Sequence, residues 1–287
     1  MRGANSAPTE RVLDVVELLS RPGDHPMRFS DVVRELDLSQ ATAHAILKTL
    51  SDRGWVTRDP TTKAFSPGPA LTVMAARLDA ARPLAVAARD AVRRLAESTG
   101  MPASVLERGG DQLVITAFEH LESSSNAVIP TERIPYAPPF GIAFAAWDTP
   151  AEQKAWVERG AAGNPSLVER LHGVLAHTRE RGYDVDWMTP ALAQAAHAIG
   201  TLTGDAVPHN LRSVIDQLRV EFTSANVLPD EHTSGAHPVA TISAPVLDAS
   251  GHVEVILAVH PLRHMTIREV KNAAQPLLRE INRISQT

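Results

Sequence analysis

Cysteine is absent from the 287 residues. That excludes disulfides, a thiolate nucleophile and a cysteine-ligated zinc site. Long apolar runs are also missing: none approaches the ~18–20 residues that span a bilayer. The opening stretch "MRGANSAPTERV" lacks an apolar signal core, so export is not expected. These absences point to the cytoplasm and away from a membrane. Lysine is scarce, four residues against 24 arginines, a bias that fits genomic base composition better than nucleic-acid binding. There are no internal repeats and no low-complexity tracts.

What is present suits a folded chain of two domains or one large one, with 44% hydrophobic and 21% charged residues. The net charge of −5 argues at first against a phosphate backbone as partner. Its distribution changes that reading. Residues 1–82 carry 11 basic and 10 acidic side chains, and the remainder carries 17 and 23. The acidity belongs to the C-terminal part, while Lys48, Arg53, Arg58 and Lys63 gather over residues 40–63.

Apolar spacing predicts a helix over "TERVLDVVELLS", with Val12, Val15, Val16 and Leu19 on one stripe and Thr9 as cap. "RPGDHPM" breaks it. A second helix over "SDVVRELDL" is expected to start at Ser30 and bury Val32, Val33 and Leu36. Ser39 caps a third, running to about Arg53 and stopped by Gly54. "WVTRD" and "KAFSPG" flank the turn "DPTT" as a hairpin. Three short helices and a hairpin make a winged helix-turn-helix.

On the third helix Ala43, Ile46, Leu47 and Leu50 form the core face, and Ala41, His44, Ala45, Lys48 and Asp52 point the other way. Gln40 and Thr42 lie at its N-terminal end, the part that reaches base edges in a helix-turn-helix. Gln40 can pair with adenine and the methyls of Ala41 or Ala45 can meet a thymine methyl, each good bidentate pair being worth ~1–3 kcal/mol of discrimination. Lys48, Arg53, Arg58 and Lys63 suit phosphate contacts, which position without reading sequence. A three-helix unit with a hairpin can also serve protein contacts, and a lone His44 on such a face can be merely solvated.

From Pro69 to about Ala81 a helix places Leu71, Met74, Ala75 and Leu78 on a stripe that needs a partner, either a second subunit or the rest of the chain. Pro83 starts another helix, to about Ser98. "ASVLERGGDQLVITAFEH" reads as two strands around a Gly-Gly-Asp turn, residues 139–147, 150–160 and 166–181 as helices, "HPVATISAPVLDASGHVEVILAVHPL" as a strand pair, and 266–284 as a last helix. The expected class is α+β, with helices around an antiparallel sheet. The domain reading is 1–68 for the winged helix, 69–82 for a linker helix, and 83–287 for a sensor domain.

Signs of catalysis are wanting. Among twelve histidines none sits in His-Glu-x-x-His, and His172 and His177 are five apart, off the spacing for two ligands on one helix face. There is no nucleophile elbow, phosphate-cradling loop or dinucleotide fingerprint. "SSSN" at 123–126 reads as a polar loop. The expectation is a non-enzyme with no cofactor and no metal. The second reading is a winged-helix protein-interaction module on a small-molecule-processing enzyme domain.

"RVLDVVELLS", "SDVVRELDLSQATAHAILKTLSDRGWVTRD" and "AFSPGPALTVMAARL" resemble the N-terminal domain of IclR-type bacterial transcriptional regulators. "VLERGGDQLVITA", "GIAFAAW", "RERGYDV" and "ISAPVLDASGHV" continue the likeness over most of the chain. The resemblance implies a winged helix-turn-helix, a linker helix and a GAF-like effector domain. It further implies operator DNA and a small-molecule effector as partners, homodimers or dimers of dimers, and control of catabolic genes. The chain departs from the family's pattern in places. Where the recognition helix usually reads Pro-Lys-Ser-Thr-x-x-Arg, this one has Ser39, Gln40, Ala41, Thr42, Ala43, His44 and Ala45. The usual Pro-Leu-His-x-Thr-x-x-Gly-Lys run falls on residues 134–142, which bring Tyr136, Phe140, Gly141 and Ile142. A pocket cysteine falls at Thr241, and two serines fall at Ala258 and His260. By resemblance those positions hold carboxylate effectors. Their replacement predicts a larger or more apolar effector than a short keto acid, held by Tyr136, Phe140, Thr241 and His260. The segment between Tyr183 and Pro238, about 184–237, exceeds the family's usual length, and helices are expected in "TPALAQAAHAIG" and "HNLRSVIDQLRVEF".

Overall fold

A computed structural model of the chain describes residues 6–21, 27–120, 134–161, 164–188 and 235–286. It forms two compact units, Met1–Arg82 and Pro83–Thr287. The readings of 123–126, 189–200 and 209–222 fall outside the described residues.

In the first unit α1 (Ala7–Leu19), α2 (Phe29–Glu35) and α3 (Gln40–Asp52) precede the hairpin of β1 (Val56–Arg58) and β2 (Phe65–Pro67), and α4 (Pro69–Ala81) follows. Val15, Leu18, Val32, Leu47, Leu50, Val56 and Phe65 make its core. α1 starts two residues before the expected cap, because Pro8 suits a first turn where no N–H is needed. The Thr9 hydroxyl donates to Ser6 Oγ instead. α2 likewise begins at Phe29, where the Arg28 N–H reaches the Asp31 carboxylate at 2.9 Å, so Ser30 lies inside the helix. Only Val32 of that helix is fully buried. The β1–β2 pairing is antiparallel, Val56 opposite Pro67 and Arg58 opposite Phe65. Gly68 closes the base of this wing: a Cβ there would lie 2.3 Å from the Gly54 carbonyl oxygen, so only glycine allows the approach. No residue of α4 is buried, and Val73, Met74 and Leu78 stand about half exposed.

The second unit is built on a six-stranded antiparallel sheet. Its strands are β3 (Ala103–Gly109), β4 (Gln112–Glu119), β5 (Ile134–Pro135), β6 (Asp184–Asp186), β8 (Thr241–Leu247) and β9 (Val253–Val259), in the order β5-β4-β3-β9-β8-β6. Alternation along each strand divides the side chains between two cores. Ala103, Val105, Ile242, Ala244, Leu257 and Val259 pack with α5 (Pro83–Thr99) and the last helix, α9 (Ile267–Ile284). Leu113 and Ile256 face the other way, toward α6 (Ile142–Ala145), α7 (Pro150–Ala161) and α8 (Pro165–Arg181). The helix expected over 139–147 shrinks to the single turn α6. The expected strand pair near the C-terminus becomes two pairs, since β7 (His237–Val239) leaves the main sheet to pair with β10 (Arg263–Met265). Pro238 lacks an N–H and suits such a short edge pairing. Thr266 caps α9, and Glu269 returns a bond to the Thr266 N–H at 2.8 Å.

Candidate functional site

Two places gather the residues singled out by sequence. The first is the outer face of α3. Ser39 caps the helix by accepting from the Thr42 N–H at 3.1 Å, and its hydroxyl meets the Thr42 hydroxyl at 2.8 Å. Ala43, Ile46, Leu47 and Leu50 are buried, which turns Gln40, Ala41, His44, Ala45 and Lys48 to solvent. Lys48 is not idle: its Nζ lies 2.6 Å from Asp52 Oδ2, one turn on. Arg53 caps the C-terminus of α3. The wing carries the other cations. Arg58 lies over the Phe65 ring at 5.5 Å, and Lys63, at a φ of 61°, donates to the Pro60 carbonyl. Asp59 shapes the wing turn by accepting from the Thr61 and Thr62 N–H groups at 2.8 and 2.6 Å. The Thr62 N–H, foremost, holds its carboxyl below the usual range.

The second place is the sheet face turned away from α5 and α9. Register sets Phe118, Ser104, Ala258, Ser243 and Asp184 side by side across five strands. Thr241 lies two residues along β8, opposite Asp186. His260, just past β9, ties this floor together. Its Nε2 is 2.9 Å from Ser104 Oγ and its Nδ1 is 3.2 Å from Thr241 Oγ1. The Phe118 ring stands 5.9 Å from the imidazole. Burial pushes the His260 pKa down to about 4, because the charged form would lose its hydration. The imidazole is therefore neutral at pH 7, one ring nitrogen donating and the other accepting between two hydroxyls. Asp184 shares this floor and its pKa is raised by burial, against the pull of Arg181, whose Nη2 lies 3.5 Å away.

Tyr136, Phe140, Gly141 and Ile142 fall elsewhere. The Tyr136 hydroxyl donates to Asp148 at 2.6 Å, and Arg108 and Arg159 lie over its ring at 4.3 and 5.4 Å. Arg108 also binds Asp148 at 2.7 Å. Burial, and then the Asp148 acceptor, pushes the Tyr136 phenol pKa upward. Its ring is 2% exposed and belongs to the α6–α8 core, with Ile142 and partly buried Phe140. Gly141, at a φ of 83°, passes so close that a Cβ would stand 2.6 Å from the Tyr136 ring. Arg108 and Ser104 are four residues apart on β3, so about 13 Å of strand separates this cluster from His260. Thr241, Ala258 and His260 are brought together, and the 136–142 group is held apart from them. Ser104, Phe118 and Ser243 complete the floor without having been singled out. The alternation in "ASVLERG" puts Ser104 opposite the apolar face, but its partner His260 is 156 residues away.

Among the described residues no cluster of three or more His, Asp or Glu side chains is arranged to hold a metal ion. No helix among them is long and apolar enough to cross a membrane.

Residues 8–60 match the IclR helix-turn-helix domain. The HTH-type transcriptional regulator BhcR of Paracoccus denitrificans is 26% identical over 210 residues, 69% of this chain and 73% of its own. An IclR transcriptional regulator from Alicyclobacillus acidocaldarius shares the fold with a TM-score of 0.61 at 19% identity, 99% of each chain being covered. An IclR homolog from Microbacterium hydrocarbonoxydans, solved in complex with 4-hydroxybenzoate, matches 96% of this chain and 100% of its own at 19% identity and a TM-score of 0.56. Residues 8–60 thus form a helix-turn-helix of the IclR type, and the chain as a whole is similar in sequence to an HTH-type transcriptional regulator and in fold to solved IclR-type regulators.

Proposed function

We propose that the chain is a ligand-responsive regulator that binds double-stranded operator DNA through α3 and controls catabolic genes. It works in the cytoplasm, as a homodimer or a dimer of dimers. One observation carries the DNA reading. α3 is fixed by a cap and a buried face, and it turns Gln40, Ala41, His44 and Ala45 outward beside a wing bearing Arg58 and Lys63. Arg53, Arg58 and Lys63 take phosphates, with Lys48 a weaker fourth because Asp52 already holds it. The half-exposed Val73, Met74 and Leu78 on α4 favour self-association.

The effector binds the floor around Thr241, Ala258 and His260. It is larger or more apolar than a short keto acid, because neutral His260 offers a carboxylate no charge and the partly exposed Phe118 ring beside it offers apolar contact. The complex of a homolog with the ring-sized 4-hydroxybenzoate fits a ligand of that size. Tyr136, Phe140, Gly141 and Ile142 act at one remove, setting the α6 turn. Coupling of ~1–3 kcal/mol between ligand and operator would change DNA affinity ~5–150-fold.

Fluorescence anisotropy of the full chain on the duplex upstream of its own gene, against a scrambled duplex, tests the DNA reading. Preferential binding is expected, and equal weak binding to both would sink it. Calorimetry tests the effector class: a short keto acid binding more tightly than hydrophobic catabolic intermediates would overturn it.

A further inference from the structure

We infer that α3 reads A·T base pairs, with the Gln40 amide on an adenine edge and the methyls of Ala41 and Ala45 on thymine methyls. This rests on the reading of α3 as the recognition helix and names the bases it recognises. Among the outward groups of the helix, most are unable to read a base. The Ser39 and Thr42 hydroxyls are committed to each other, and the Ser39 oxygen also takes the Thr42 N–H. The Thr49 hydroxyl donates to the Ala45 carbonyl at 2.8 Å. Guanine is read chiefly by Arg or Lys, bidentate to O6 and N7. The only basic side chain on the outer face, Lys48, lies 2.6 Å from Asp52. That carboxylate would oppose the guanine acceptors. Arg53 is 13 residues beyond Gln40, about 20 Å along the axis.

Gln40 therefore remains as the one group on this face able to make a bidentate base contact, and adenine N6/N7 is its complement. His44, one turn from Gln40, offers a single point contact. Ala41 and Ala45 form the neighbouring i,i+4 ridge, with methyls about 6 Å apart along the axis, close to two base steps. Such a ridge has nothing to give a polar edge and meets the thymine C5-methyl without loss. The small side chains also admit the backbone close to the bases.

The test starts from duplexes enriched by the full chain out of a random pool. Thymines are then replaced singly by deoxyuridine, which removes the methyl and leaves every hydrogen bond in place. Deoxyuridine at two positions of a half-site should weaken wild-type binding about fourfold each, the worth of a buried methyl. Ala45→Gly should become indifferent to one of them. Gln40→Ala should lose roughly 5- to 150-fold of preference for adenine at one position. Enriched duplexes carrying guanine at the position that Gln40→Ala relaxes, or indifference of the wild type to every deoxyuridine, would overturn the inference and leave DNA binding standing. Enrichment of no duplex would overturn the DNA reading itself, and this inference with it.

Discussion

The outer face of α3 and the floor of the sheet hold their polar groups in opposite ways. On α3 the outward Gln40 and His44 are exposed. On the floor Ser104 is fully buried, and Ser104, His260 and Thr241 satisfy one another. A free surface can be changed with little effect on folding, because it has no partner to lose. A closed polar cluster couples any change in binding to stability, since removing one member leaves another unpaired in a dry place. A ligand on that floor must either leave the cluster intact or replace its bonds.

The contrast can be broken most sharply within α3. Leu47→Ala, at a 2% exposed core position, should cost about 2–5 kcal/mol in urea unfolding. Gln40→Ala, at the exposed first position of the same helix, should stay within about 0.5 kcal/mol of wild type. A large stability loss from Gln40→Ala would mean that the face is not free.

The floor should show itself through pH. His260 titrates near 4 in the folded chain, below the ordinary 6.5. The unfolded chain therefore binds the extra proton first as pH falls. The stability due to neutral His260 is complete above about pH 6.5 and is lost progressively down to pH 4. Comparing wild type with His260→Gln by unfolding at each pH should reveal a difference that changes by about 3 kcal/mol across that window. Asp184 titrates in both proteins and cancels. A flat difference would show His260 to be solvated.

A third change separates the Tyr136 cluster from the floor. Gly141→Ala should cost about 1–3 kcal/mol, since the new methyl meets the Tyr136 ring. It should leave the pH behaviour of His260 unaltered. Least in size is Asp52→Asn. Releasing Lys48 from its exposed partner and removing a negative charge beside the DNA should raise affinity for all duplexes by roughly two- to fivefold. Weaker binding after that change would mean that Asp52 itself positions α3.

What was legible in the sequence follows the same contrast. α3 was readable because its signals are local: Ser39 before the apolar spacing of Ala43, Ile46, Leu47 and Leu50, and Gly54 after it. The wing and the β3–β4 and β8–β9 hairpins announced themselves through turn residues in the same way. The floor was not readable as a unit. Thr241 and His260 came from a family likeness, while Ser104 and Phe118 joined them only through the pairing of β3 with β4 and β9. No period in the sequence encodes that pairing. The place of Tyr136 was also out of reach of the sequence: it was singled out by family likeness, and nothing nearby in sequence foretells the hydrogen bond to Asp148 or the two arginines over its ring.

The central claim is that the exposed face of α3 recognises a DNA sequence. Its most direct test is anisotropy of wild type and Gln40→Ala, side by side, on the upstream and scrambled duplexes at one near-physiological salt concentration. Wild type should prefer the upstream duplex, and Gln40→Ala should lose part of that preference. Equal affinity of wild type for the two duplexes, or an identical preference in both proteins, would contradict the claim.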